Sequence, residues 1–164
     1  VRPYLHDADT AVGHIQALQA SGTTSIDLGV RFGAMFFDPT INPFIEQYIS
    51  NGTIHPAFSG RPFQWNQQGT VRAMVLMTDG ENCCGARFPV ATQDAQAIAA
   101  CTALKAQGVI IYAVAFEAPQ GGINLMQQCA SSENHFFNTT GSQIADAFAG
   151  IGAHIQTQQL RLIR

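Results

Sequence analysis

The chain has 164 residues, of which 46% are hydrophobic and 12% charged, with a formal charge of −3. That length suits one core and is short for two ordinary domains, and the apolar content excludes a disordered tract. Scattered Lys and Arg leave no electrostatic footprint for nucleic acid, and no apolar run reaches the roughly 18 residues that a membrane span needs.

In chain order, Asp9 to Ala20 reads as a helix with Val12, Ile15 and Leu18 on one face and Gly22 beyond its end. Ser21-Gly22-Thr23-Thr24-Ser25 is a hydroxyl-rich turn. The helix-like run after it, Ile26 to Phe37, is stopped by Pro39. Residues 39–69 form an irregular insertion. It holds Pro43, Gly52, Pro56, Gly60 and Pro62, with Phe44, Tyr48, Phe58, Phe63 and Trp65 between them. A short helix over Pro43–Ile49 fits the preference of Pro for a first turn. The aromatic side chains read as pins holding a long ordered loop to the body, with a partner surface as the alternative.

Val71 to Thr78 reads as a buried parallel strand, ending in Asp79 on a glycine turn. Ligands of open α/β sheets bind at the carboxyl ends of such strands, which places Asp79 where chemistry usually sits. The plainer reading, that Asp79 caps the next helix, stands level with it on local grounds. Further predicted elements are a helix over Thr92–Gln107, a strand over Val109–Phe116, a helix over Ile123–Cys129, a short strand over His135–Phe137 and a closing helix over Ser142–Leu160. This alternation implies a parallel sheet with right-handed crossovers. Cys83 and Cys84 are adjacent, so a bridge between them is strained. In a secreted context four cysteines would allow three pairings, and the sequence alone does not choose among them. No Cys-x-x-Cys and no paired His supports a zinc site, and neither His55 nor His135 has a nucleophile context. His135 reads as a half-buried structural histidine.

Two segments, Thr23-Thr24 with Gly29 following and Thr78-Asp79-Gly80, together resemble the second half of a von Willebrand factor type A domain. The resemblance implies a doubly wound, mostly parallel, Rossmann-like sheet, and a divalent-metal site at its top (a metal-ion-dependent adhesion site). Thr24, five residues before Gly29, matches the loop threonine of that site, with Thr23 as the fallback. Asp79 matches the distal aspartate. As an unaided residue, Thr24 also reads as a helix cap. Hydroxyl, carboxylate and water oxygens suit a hard cation such as Mg²⁺, with Ca²⁺ and Mn²⁺ open. The family's Asp-x-Ser-x-Ser loop is absent: Asp7 and Asp9 are followed by Thr10 and Ala11. The chain therefore reads as the carboxyl-terminal part of one such domain, 1–164, whose amino-terminal part lies upstream.

The ordered set Thr78-Asp79-Gly80-Glu81-Asn82, Cys101, Gly108 to Phe116, Cys129-Ala130-Ser131-Ser132, His135-Phe136-Phe137-Asn138 and Leu160-Arg161-Leu162-Ile163-Arg164 looks like the corresponding region of TadG-type proteins of tight-adherence (Flp) pilus assembly. That narrower resemblance implies a Cys101–Cys129 disulfide. It also implies an extracytoplasmic domain, in the periplasm or at the cell surface, held to the bacterial inner membrane by an upstream anchor. The function it implies is non-enzymatic: an adhesion or assembly module whose protein partner supplies an Asp or Glu to the metal. The alternative is a metal-free structural scaffold in a cell-envelope or pilus complex. A hydrolase has no Ser–His or paired-carboxylate arrangement behind it. The family's strand order, 3-2-1-4-5-6, makes the visible strands the last three. The 71–78 strand is then an edge, expected to be covered by the amino-terminal half of the domain, by another chain or by a second copy.

Overall fold

In a computed structural model, which describes residues 4–19, 22–83 and 88–162, the chain is mixed α/β. Its core is a three-stranded, all-parallel open sheet, β1 (Arg72–Thr78), β2 (Val109–Phe116) and β3 (Phe136–Thr139), in spatial order β1-β2-β3. The chain forms two compact units. One combines residues 23–34 with 66–164 and contains the sheet; the other combines 1–22 with 35–65.

Within the sheet unit, β2 is central and almost wholly buried, as its unbroken apolar sequence requires. Register pairs Ala73 with Ile110, Val75 with Tyr112 and Met77 with Val114, so these residues share one face. Helix α6 (Ile144–Leu162) packs on that face, where Ile151 closes a cluster with Tyr112 and Val114. Helices α4 (Val90–Ala106) and α5 (Gln120–Cys129) make the crossovers β1-α4-β2 and β2-α5-β3. Right-handed crossovers running in one direction put both on the opposite face. Cys101 in α4 and Cys129 in α5 form a disulfide there. Helix α2 (Ile26–Met35) reaches the same face at the edge strand, where a Cβ on Gly33 would meet the Met74 methyl at 2.8 Å.

Strand β1 is an edge: among the described residues no strand pairs with its outer side. Its α6-side residues Val75 and Met77 are 41% and 46% exposed, whereas Met74 and Thr78 on the other face are buried.

The second unit holds α1 (Ala8–Gln16), α3 (Asn42–Ser50) and two short 3-10 turns. Pro39, Ile45 and Ile54 are buried in it. The Tyr4 hydroxyl donates to the Phe36 carbonyl at 2.9 Å, and the Tyr4 ring packs on Phe36 and Phe58. Of the aromatic residues expected as pins, Phe58, Phe63 and Trp65 are partly buried, but Phe44 and Tyr48 on α3 are exposed. Helix α1 buries none of its residues, so its apolar stripe, Val12 and Ile15, lies in solvent.

Several element boundaries differ from the sequence pattern: α1 ends at Gln16 rather than Ala20, and α2 at Met35 rather than Phe37. Helix α5 begins at Gln120 rather than Ile123, so Gly121 and Gly122 lie in its first turn. His135 belongs to a 3-10 turn before β3, which starts at Phe136. The ring of His135 packs between Tyr112 and His154, 5.2 Å from the latter, and the Ser132 hydroxyl lies 2.7 Å from its Nδ1. Tyr112 Oη bonds His154 Nδ1 at 3.0 Å, which ties β2 to α6.

Two outcomes are expected. The disulfide closes a 28-residue separation, so replacing Cys101 and Cys129 with Ser lowers unfolding free energy by about 3 to 4 kcal/mol in a denaturant titration. Acid should also weaken the fold at His135. Its pKa lies below the ordinary histidine value, foremost because burial disfavours the cation and then because His154 repels it. The unfolded chain therefore binds the proton first. This contribution to stability is complete above the unfolded pKa near 6.5 and is lost as pH falls towards the folded one. The thermal midpoint should fall between pH 7.5 and 5.5, and fall less in His135→Gln.

Candidate functional site

The carboxyl end of β1 and the amino end of α2 adjoin. Residues 23–25 precede α2, and Asp79, Gly80 and Glu81 follow β1. Thr24 lies against Gly80: a Cβ on that glycine would stand 3.1 Å from Thr24 Oγ1. The Cys83 amide donates to the Thr24 carbonyl at 3.2 Å. The loop carrying Thr24 is thus fastened to the turn carrying Asp79. Asp79 and Glu81 are exposed, and Thr24 is half-buried.

The turn itself is tight. Thr78 Oγ1 accepts from the Gly80 amide at 3.1 Å and lies 3.2 Å from the Gly80 carbonyl oxygen. That carbonyl meets the first turn of α5 so closely that a Cβ on Gly122 would be 2.2 Å from it. A Cβ on Gly121 would overlap the Glu81 carboxylate, at 2.1 Å from Oε2. The Glu81 carboxylate therefore sits on the positive end of α5, where the helix dipole favours an anion. The two glycines read as helix breakers in a sequence; here they are the gap through which the helix end reaches the Asp79 turn.

Sequence reasoning missed two further groups. Asn82 is 1% exposed; its Oδ1 accepts from the Ile26 amide at 2.6 Å, and its Nδ2 donates to Asp94 Oδ1 on α4 at 2.7 Å. It acts as the N-terminal cap of α2, supplied from 56 positions away in the chain. No local pattern marks such a cap. Asp27, in the first turn of α2, is 0% exposed. An acid in a first turn ordinarily signals only a favourable dipole contact, so its burial had no sequence signature.

Thr24 and Asp79 supply hydroxyl and carboxylate oxygens, the donor type that Mg²⁺ takes, with water filling its remaining positions. Among the described residues no group of three His, Cys, Asp or Glu side chains could hold a metal ion. The donor set is therefore a partial one. Cys84, whose pairing the sequence left open, lies outside the described residues.

Elsewhere, a cavity of about 390 Å³ in the second unit is lined by Tyr4, His6, Asp7, Ile49 and His55 among others. Its polar groups serve local structure. The Asp7 carboxylate caps α1 by accepting from the Asp9 and Thr10 amides and the Thr10 hydroxyl, and these bonds, the hydroxyl's foremost, hold its pKa low. His55 Nδ1 accepts from the Ala57 amide. The strand-end site is therefore the better candidate.

No protein-family model, no curated protein and no solved structure matches the chain.

Substituting Gly122 with Ala should cost about 1 to 3 kcal/mol, because the methyl must displace a backbone carbonyl. Gly150→Ala, with nothing within 4 Å in α6, should instead stabilise by about 0.5 to 1 kcal/mol. Denaturant midpoints of the two variants check both signs.

Proposed function

We propose that the chain is the carboxyl-terminal part of a von Willebrand factor A-like domain and serves as a non-enzymatic protein-binding module. One observation carries this reading. The Thr24 hydroxyl and the turn bearing Asp79 lie side by side at the carboxyl end of a parallel strand. Residues 24 and 79 are far apart in sequence, yet their loops adjoin at a strand end, the place where open α/β sheets bind ligands.

Thr24 and Asp79 would hold a divalent cation, Mg²⁺ first, and an Asp-x-Ser-x-Ser loop from upstream would complete the set. The cation would offer an open coordination position to an Asp or Glu of the partner protein. Thr24 lies two residues before α2 and Asp79 directly after β1, so each loop residue is flanked by a regular element, which suits a selective oxygen site. The half-exposed Val75 and Met77 on edge strand β1 suit cover by the amino-terminal half of the same domain, by another chain or by a second copy. The ordered motifs from Thr78 to Arg164 support a TadG-type assembly protein of the cell envelope, and with it an extracytoplasmic setting and an upstream anchor. Among the described residues no helix is long and apolar enough to cross a membrane.

A second reading is a metal-free scaffold. The hydrogen bonds of Asn82 and Cys83 favour it, because they fasten the two loops without a cation.

Calorimetric titration of the intact protein with Mg²⁺ separates the two. The metal-dependent reading expects binding heat that disappears in Thr24→Ala/Asp79→Ala. Heat that survives the double substitution, or none in the unaltered protein, rejects it.

A further inference from the structure

The buried Asn82 amide bridges the loop that carries Thr24 to Asp94, in the second turn of α4. Each end of that amide has one partner: Oδ1 accepts from the Ile26 amide at 2.6 Å, and Nδ2 donates to Asp94 Oδ1 at 2.7 Å. Ile26 is two residues from Thr24, and the Cys83 amide bonds the Thr24 carbonyl itself. Asn82 follows Asp79 by three residues in the same turn. Its side chain thus stands at the junction of the two loops and of a third element, α4, which brings no residue to the proposed cation.

We propose that Asn82 is the positioning residue of the strand-end site and that Asp94 is its orienter. The inference rests on the reading of Thr24 and Asp79 as cation ligands, which it extends to the groups that aim them. The argument is one of polarity. A buried amide can be placed two ways round, and only one is productive here. The Ile26 N–H must meet an oxygen, so the –NH₂ must face away from α2. Asp94, an acceptor only, selects that orientation. With Asp94 in place, the oxygen of Asn82 is held against α2 and the start of that helix cannot drift from the Asp79 turn. Outer groups of this kind commonly set about 10- to 100-fold of metal affinity, although they never touch the metal. Asn82 is fully enclosed, so water does not readily replace either bond.

The claim predicts a polarity swap. In Asn82→Asp, two carboxylates face each other where an amide donated before, and the arrangement breaks. In Asn82→Asp/Asp94→Asn, the amide is on the other side. The amide at position 94 donates to the carboxylate at position 82, and that carboxylate still accepts from the Ile26 amide. Net charge equals that of the unaltered protein. Two readouts on the intact protein are needed: hydrogen exchange of the Ile26 amide without metal, by fragmentation mass spectrometry, and Mg²⁺ affinity by calorimetry. Asn82→Asp should speed Ile26 exchange about tenfold and weaken Mg²⁺ binding by at least that factor, and the swap should return both towards their original values. A single variant with unaltered exchange and affinity overturns the proposal, as does a swap that restores neither. If the single variant does not fold, the swap decides alone: folded with a protected Ile26 amide supports the proposal, and unfolded or unprotected overturns it. If the unaltered protein takes up no Mg²⁺, the cation reading falls, and the exchange arm still judges whether Asn82 fixes the loop.

Discussion

The arrangement described above depends on one constraint: the Ile26 amide at the start of α2 is met by the Asn82 side chain from the turn after β1. A helix end leaves backbone N–H groups without intrahelical partners, and burying them unsatisfied is costly. Asn82 meets the Ile26 amide, and the neighbouring Cys83 amide meets the Thr24 carbonyl. These bonds bring the hydroxyl-rich turn to the end of β1. Without them Thr24 would be one more surface threonine before a helix.

The other side of the Asp79 turn is set by size rather than by hydrogen bonding. Gly121 and Gly122 admit the backbone and carboxylate of the turn where any side chain would collide. Helix α5 is in turn linked to α4 through Cys101 and Cys129, and α4 carries Asp94, the partner of Asn82. The turn is therefore anchored by groups from the α2 loop, α4 and α5, while Asp79 and Glu81 stay exposed. The sheet face opposite α4 and α5 depends on α6, whose contact with β2 includes the Tyr112–His154 bond and Ile151.

Much of this was legible in the residues. The unbroken apolar run at Val109–Phe116 can only be a strand covered on both faces, and it is the central one. The parallel strands follow from strand–helix alternation, whereas the edge position of β1 was implied only by the family's strand order. Less could be read where a residue's partner is remote. Gly121 and Gly122 carry breaker chemistry locally, yet tertiary packing keeps them helical. The apolar stripe of α1 has helical spacing, but nothing in a stripe says what covers it, and in this chain it faces solvent. Asp79 is legible from its place at the end of an apolar strand, whereas Thr24 stands out only through its likeness to a family motif. Asn82 stood inside that motif without any local sign of its work, because a cap from 56 positions away leaves no spacing to read. The Cys101–Cys129 pair likewise came with the resemblance, and four cysteines alone could not have selected it.

The central claim is that one cation is shared by the Thr24 loop and the Asp79 turn. Paramagnetic broadening by Mn²⁺ addresses it residue by residue. In an amide spectrum of the intact protein, substoichiometric Mn²⁺ should broaden Thr24, Ser25, Asp79 and Gly80 together, and Mg²⁺ should reverse the effect. Broadening confined to one of the two segments, or centred on His6 and His55 instead, would contradict it.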